Sequence, residues 1–146
     1  MRIVYMLNSL GMGGAERLAL ALADRMAQRG HSVAVVVLLP RIGNEWPTDL
    51  RVVPLDMGSS PWSVFAGVVR ARRFLREFQP DVIHSHSFHA NILARLLRLF
   101  VPSAKVLTTV HNVYEGGRMR MLTGLRIRCL AARPLSARLL PIVSFA

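Results

Sequence analysis

Along this 146-residue chain, compact apolar runs alternate with stretches of helical periodicity. Ile3 to Leu7, Ser32 to Leu39, Val52 to Leu55, Asp81 to Ser85 and Lys105 to Val110 read as strands. Their nearly unbroken apolar character suits strands covered on both faces of a parallel sheet. Between them, about Ala15 to Arg29 predicts a helix with Leu18, Leu22 and Met26 on one stripe and Gly30 as its stop. Ser59-Ser60-Pro61 supplies an N-cap and a first-turn proline for a helix reaching Phe78. Ala90 to Phe100 predicts a third helix, closed by Pro102, and Arg41 to Leu50, with Gly43, Asn44 and Pro47, a loop. Strands alternating with helices predict one α/β domain, with ligands at the carboxyl ends of the strands. Three polar spots lie at such ends: Gly11 to Glu16, His84 to His89, and His111-Asn112.

The first is a glycine turn, Gly11-Met12-Gly13-Gly14-Ala15-Glu16-Arg17, between a strand and a helix start. Such a turn gathers bare backbone N–H groups and a positive dipole end, a seat for phosphate or another anion. Gly13 and Gly14 together can take positive φ and let a ligand approach the main chain closely. The plain alternative is an ordinary βα turn. It is not a P-loop, because no Gly-Lys-Ser/Thr follows and the only lysine is Lys105. Glu16 stands where a dinucleotide fingerprint needs its third glycine, and strand two ends in Pro40-Arg41 without an acid for a ribose, so NAD is not expected.

Composition narrows the class. Apolar residues make up 52% and mean hydropathy is +0.35, but the runs are too short to cross a bilayer. Met1-Arg2-Ile3-Val4-Tyr5 enters a strand directly, without the pattern of a signal peptide, and Cys129 alone makes no disulfide framework. A cytoplasmic protein is expected. The net charge of +11 is unevenly placed: Arg70, Arg72, Arg73 and Arg76 share one helix, and arginines from Arg118 to Arg138 follow the last acid, Glu115. Such patches attract phospholipid, nucleotide or nucleic acid. No helix-turn-helix, zinc-finger or RNP pattern is present, so a specific nucleic-acid partner is not expected.

In His84-Ser85-His86-Ser87-Phe88-His89, strand alternation puts His84 and His86 on one side. A metal site needs further ligands, and the nearest acid, Asp81, is at the other end of the strand, so no metal is expected. His84 reads as a core histidine, whereas small polar residues and imidazoles near His86 suit a cleft for a hydroxylated or phosphorylated ligand. His111 ends a strand of apolar and hydroxyl residues, placed to act as a base or to bond a substrate hydroxyl. A structural contact with a neighbouring loop is the alternative.

Taken in order, the Ile-Val-Tyr strand, Gly-Met-Gly-Gly-Ala-Glu-Arg, Arg-Gly-His-Ser-Val, Pro-Asp-Val-Ile-His-Ser-His-Ser, Ala-Asn-Ile-Leu-Ala-Arg and Thr-Thr-Val-His-Asn resemble one family. It is the amino-terminal domain of retaining, family-four-type glycosyltransferases of the GT-B fold, over about residues 1 to 117. The resemblance implies a Rossmann-like, mostly parallel sheet with helices on both faces, acting as the acceptor-side half. It implies a nucleotide-sugar donor, a cell-surface polysaccharide or lipid-linked acceptor, no cofactor and no divalent ion. By position, Gly13 and Gly14 match the loop whose amides face the donor diphosphate, and His111 matches the histidine beside the transferred sugar. Asn112 and His86 are expected to line the cleft. The resemblance carries no donor-binding second domain within these 146 residues, so residues 1 to 146 are expected to be a single acceptor-side domain. A truncated chain, inactive alone, is the expectation. The open alternatives are a stand-alone anion- or nucleotide-binding module and a basic nucleic-acid-binding domain. Contact with the inner face of an anionic membrane is a further expectation from the charge.

Overall fold

The computed structural model describes residues 1–40, 47–110 and 143–144. Its elements are β1 (Arg2–Leu7), α1 (Gly14–Gln28), β2 (Ser32–Val37), β3 (Arg51–Pro54), α2 (Pro61–Phe78), β4 (Val82–His86), α3 (Phe88–Leu97) with a 3-10 turn at Arg98–Phe100, β5 (Lys105–Val110) and β6 (Val143–Ser144). The strands form one parallel sheet in the order β3-β2-β1-β4-β5-β6. The chain winds outward from β1 through β2 to β3, then crosses to β4 on the other side of β1. The order therefore reverses between β1 and β4, and the carboxyl ends of those two strands flank the crevice where such sheets bind ligands.

Each face of the sheet has its own core, as period-2 alternation requires. Ile3, Tyr5, Leu7, Val35 and Val37 pack on one side against Ala19, Leu20 and Ala23 of α1. Val4, Met6, Val36 and Ile83 pack on the other against Phe74 and Leu75 of α2 and Leu93 and Leu97 of α3. Two helices sit close because small residues let them. On α1 the fully covered positions are Ala19 and Ala23, with Leu22 and Met26 partly buried, whereas Leu18 is 46% exposed. The predicted leucine stripe is thus corrected at Leu18, since closest approach selects the alanines. On α2, a Cβ at Gly67 would overlap the Met57 side chain and lie 3.1 Å from the Leu55 carbonyl.

The predicted strands and helices are present with shifted ends. β2 stops at Val37, β4 runs one residue later than Asp81 to Ser85, and α3 starts two residues before Ala90. At the amino edge, the Asp81 carboxylate accepts the Arg2 N–H at 2.7 Å. The Asp81 N–H donates to the Arg2 carbonyl at 2.8 Å, and its carbonyl accepts the Lys105 N–H at 2.9 Å.

Candidate functional site

Two connections meet the crevice, the glycine turn after β1 and the Ser87 turn after β4. Gly13 is the N-cap of α1, at φ −83° and ψ 158°, and no side chain caps the helix. Neither Gly13 nor Gly14 uses the positive φ open to glycine: Gly13 takes the extended backbone usual for an N-cap. The two glycines differ in their surroundings. The Gly13 N–H donates to the Gly11 carbonyl at 2.8 Å, and a Cβ there would collide with the Glu16 carboxylate, which folds over the turn. At Gly14 a Cβ would meet nothing within 4 Å. The fold therefore leaves open space at Gly14, the first residue of a helix whose leading N–H groups have no intrahelical acceptor. Glu16 contributes a negative charge beside that positive end and offsets part of its field.

Across the crevice, Ser87 precedes α3 with φ 76° and ψ 158°, a region that favours glycine and costs an L-residue on the order of 1–3 kcal/mol. It gives no side-chain cap; Asn8, at the end of β1, does so from a distance. The Asn8 Oδ1 accepts the Ala90 N–H at 3.2 Å, tying the strand that feeds the glycine turn to the start of α3. Asn8 was not singled out from the sequence, because its partner lies 82 residues away. The nearest signal was local, a polar residue directly after an apolar run.

His84 and His86 are inside the sheet, whereas His89 is exposed on the first turn of α3. The His84 Nε2 is 2.9 Å from the Thr109 Oγ1, and the ring lies 5.2 Å from that of Tyr5, as a core histidine should. His86 is 1% exposed, with its ring 4.2 Å from His84 and 6.1 Å from Tyr5. The expectation that His86 lines a cleft is corrected: its side chain is held in the core, because β4 extends through His86 and buries it. Burial pushes the Tyr5 phenol above its ordinary value. Asn91, on the first turns of α3, donates its Nδ2 to the Thr109 carbonyl at 3.2 Å and anchors the carboxyl end of β5. Among the described residues no three His, Cys, Asp or Glu side chains converge as a metal-binding group. His111, Asn112 and the arginines from Arg118 onward lie outside the described residues.

The strand order and the crevice are those of a Rossmann-like α/β sheet, and comparison with known proteins decides the family. The profile described as Glycosyltransferase Family 4 matches residues 12–141. The chain belongs to that family. A glycogen synthase of Chlorobaculum tepidum is 41% identical over 46 residues, covering 27% of this chain and 9% of that protein. MurG of Acinetobacter baumannii superposes with a TM-score of 0.58 at 18% identity, over 84% of this chain and 38% of its own. A sucrose-phosphate synthase from Thermosynechococcus elongatus gives 0.61 at 16% identity, over 77% of this chain and 34% of that one. A glycosyltransferase from Rickettsia africae gives 0.61 at 17%, over 86% and 34%. At these identities the likeness shows the fold alone, the Rossmann-like α/β sheet of GT-B glycosyltransferases. The chain spans about a third of the length of these solved structures.

Proposed function

We propose that this family member is the acceptor-side half of a glycosyltransferase, moving a sugar from a nucleotide-sugar donor to a cell-surface polysaccharide or lipid-linked acceptor. The observation that carries this reading is the unfilled space at Gly14, on an uncapped helix start beside the β1–β4 crevice. Cleaving a sugar–nucleotide bond builds charge on the leaving diphosphate. Backbone N–H groups fixed at a helix start stabilise that charge without reorganising. Gly14 is the residue whose amide a diphosphate reaches; Gly13, its own amide engaged and Glu16 against it, shapes the turn. His111 is assigned to the transferred sugar and Asn112 to the wall beside it, by their match to the family pattern. No metal or cofactor is required for this division of labour.

The test joins these 146 residues to a donor-binding half and measures sugar transfer from a panel of nucleotide sugars. His111→Ala is expected to lower kcat by tenfold or more while donor binding changes little, since a contact made mainly in the transition state acts on kcat. Full activity in that variant removes His111 from the site. Nucleotide binding without transfer in any pairing favours the stand-alone binding module.

A further inference from the structure

The glycine turn holds a carboxylate that has no part in binding the donor. Glu16, on the first turn of α1, is half-buried and lies against the main chain of Gly13, in the space where any other residue would hold its Cβ. The missing side chain at Gly13 is what lets the carboxylate rest there. Bond lengths then place it within about 6 Å of the Gly14 N–H. It caps no N–H of the helix and has no ion-pair partner among the described residues. Asp56, which follows β3 at the same edge of the sheet, is by contrast neutralised by Arg70 at 3.0 Å. Arg17, next in sequence to Glu16, lines a separate cleft along α1 with Leu20, Asp24 and Asp49.

An uncompensated anion beside an anion seat repels what sits there, and the repulsion grows with the charge of the occupant. In a nucleotide sugar the diphosphate is esterified at both ends and carries one negative charge on each phosphate. Transfer breaks the bond between the anomeric carbon and the phosphate oxygen. That oxygen keeps the bonding pair, the acceptor oxygen takes its place on the carbon, and the acceptor proton passes to water. The nucleoside diphosphate left behind ends in a phosphate whose second ionisation falls at about pH 6. At neutral pH it therefore carries one charge more than the donor did.

We propose that Glu16 sets the charge preference of the Gly14 seat, disfavouring the nucleoside diphosphate product relative to the nucleotide-sugar donor and so hastening product release. The inference rests on the reading of a diphosphate at Gly14 and deepens it. The N–H groups at the helix start attract both molecules, and the carboxylate subtracts more from the one with more charge. At this separation near a protein surface, one further unit of charge on the occupant corresponds to about three- to tenfold in affinity. Before a ligand arrives, the same carboxylate offsets the field of the uncapped helix start. A Glu16 that served the helix alone would treat ligands of different charge alike.

The experiment is calorimetric titration of the 146-residue chain with UDP, GDP and ADP and with their terminal methyl esters. Each ester has the charge of a nucleotide sugar and makes no sugar contact. At physiological salt, Glu16→Gln is expected to strengthen binding of the free diphosphate about three- to tenfold more than binding of its ester, and the difference should shrink toward high salt. Glu16→Asp keeps the charge and is expected to keep most of the parent's preference. Asp24→Asn removes the same charge about 12 Å further along α1, beyond the screening length, and is expected to leave both affinities unchanged. Melting curves without ligand establish that each variant is folded. Equal strengthening for diphosphates and esters in Glu16→Gln, or the same selectivity change in Asp24→Asn, would overturn the role of Glu16 and leave the seat in place. Absence of diphosphate binding in both the parent and Glu16→Gln would remove the seat itself, and the proposal with it.

Discussion

The two edges of the sheet are built on opposite terms. At the amino edge, one residue closes three strands: Asp81 exchanges two hydrogen bonds with Arg2 and accepts a third from Lys105. At the carboxyl edge, α1 begins without a side-chain cap, Ser87 holds a positive φ, and α3 borrows its cap from Asn8 on another strand. Positive φ is not confined to the carboxyl edge, since Gln79, which ends α2 at the amino edge, has φ 51° and ψ 62°. What sets the carboxyl edge apart is the uncapped start of α1 and the more sparsely populated φ 76°, ψ 158° of Ser87. The contrast separates residues that serve the fold from residues that the fold tolerates for another purpose.

Gly14→Val breaks that contrast with the largest expected effect. Nothing lies within 4 Å of its Cβ position, so the folded state accommodates the side chain and stability should stay within about 0.5 kcal/mol. A valine in that space blocks backbone approach, and the response to nucleoside diphosphates should fall tenfold or more. Gly67→Ala is the matching change in the scaffold. Its methyl would press on Met57 and the Leu55 carbonyl and cost about 1–3 kcal/mol, with nucleotide response per folded molecule unchanged. Thermal-shift titration reads both at once. Equal stabilisation of Gly14→Val and the parent by nucleotide would mean that Gly14 is an ordinary turn glycine.

Much of the scaffold was legible because its physics is local. Strands covered on both faces must be apolar throughout, and that rule found β1, β2 and β5; Ser60-Pro61 fixed the start of α2. The stripe on α1 was partly misplaced because periodicity weights large side chains, whereas contact with a sheet is made by the smallest ones, Ala19 and Ala23. The rim was less legible. The glycine turn announced itself, but which glycine is open depends on where the Glu16 carboxylate folds, and that is a matter of geometry. The burial of His86 follows from β4 running one residue further than the apolar pattern indicated. Asn8 needed knowledge of which helix would lie above it.

Asn8 and Asp81 sharpen the comparison with a smaller effect, since each ties one edge through its carboxyl or amide oxygen. Asn8→Ala removes the acceptor for the Ala90 N–H, and Asp81→Ala the acceptor for the Arg2 N–H, each worth about 1 kcal/mol. Their consequences for ligand binding should differ. Loss of Asn8 frees α3 from the strand that carries the glycine turn, so nucleotide response should weaken several-fold. Loss of Asp81 should leave it unchanged at matched fraction folded. Chemical denaturation beside ligand titration distinguishes them, and equal weakening by both would erase the division between the edges.

The smallest effect concerns the polar strip beneath the open edge, where Tyr5 packs against His84 and His86. Burial raises the phenol above its ordinary value of 10.0, so the folded chain keeps that proton to a higher pH than the unfolded chain does. Between the ordinary value and the raised one, the unfolded state binds fewer protons, and stability must fall as pH rises. Below pH 10.0 this contribution is constant. Tyr5→Phe keeps the ring contacts and removes the titration, so at neutral pH its stability should lie within about 1 kcal/mol of the parent. Above the ordinary phenol value the parent should lose stability relative to Tyr5→Phe, and the difference between their denaturation midpoints should drift steadily in favour of the variant. A difference that stays flat through the alkaline range would show that the Tyr5 hydroxyl is hydrated in the folded state. The strip under the carboxyl edge would then be wet, and the dry, closed character of the scaffold would end one layer deeper than Tyr5.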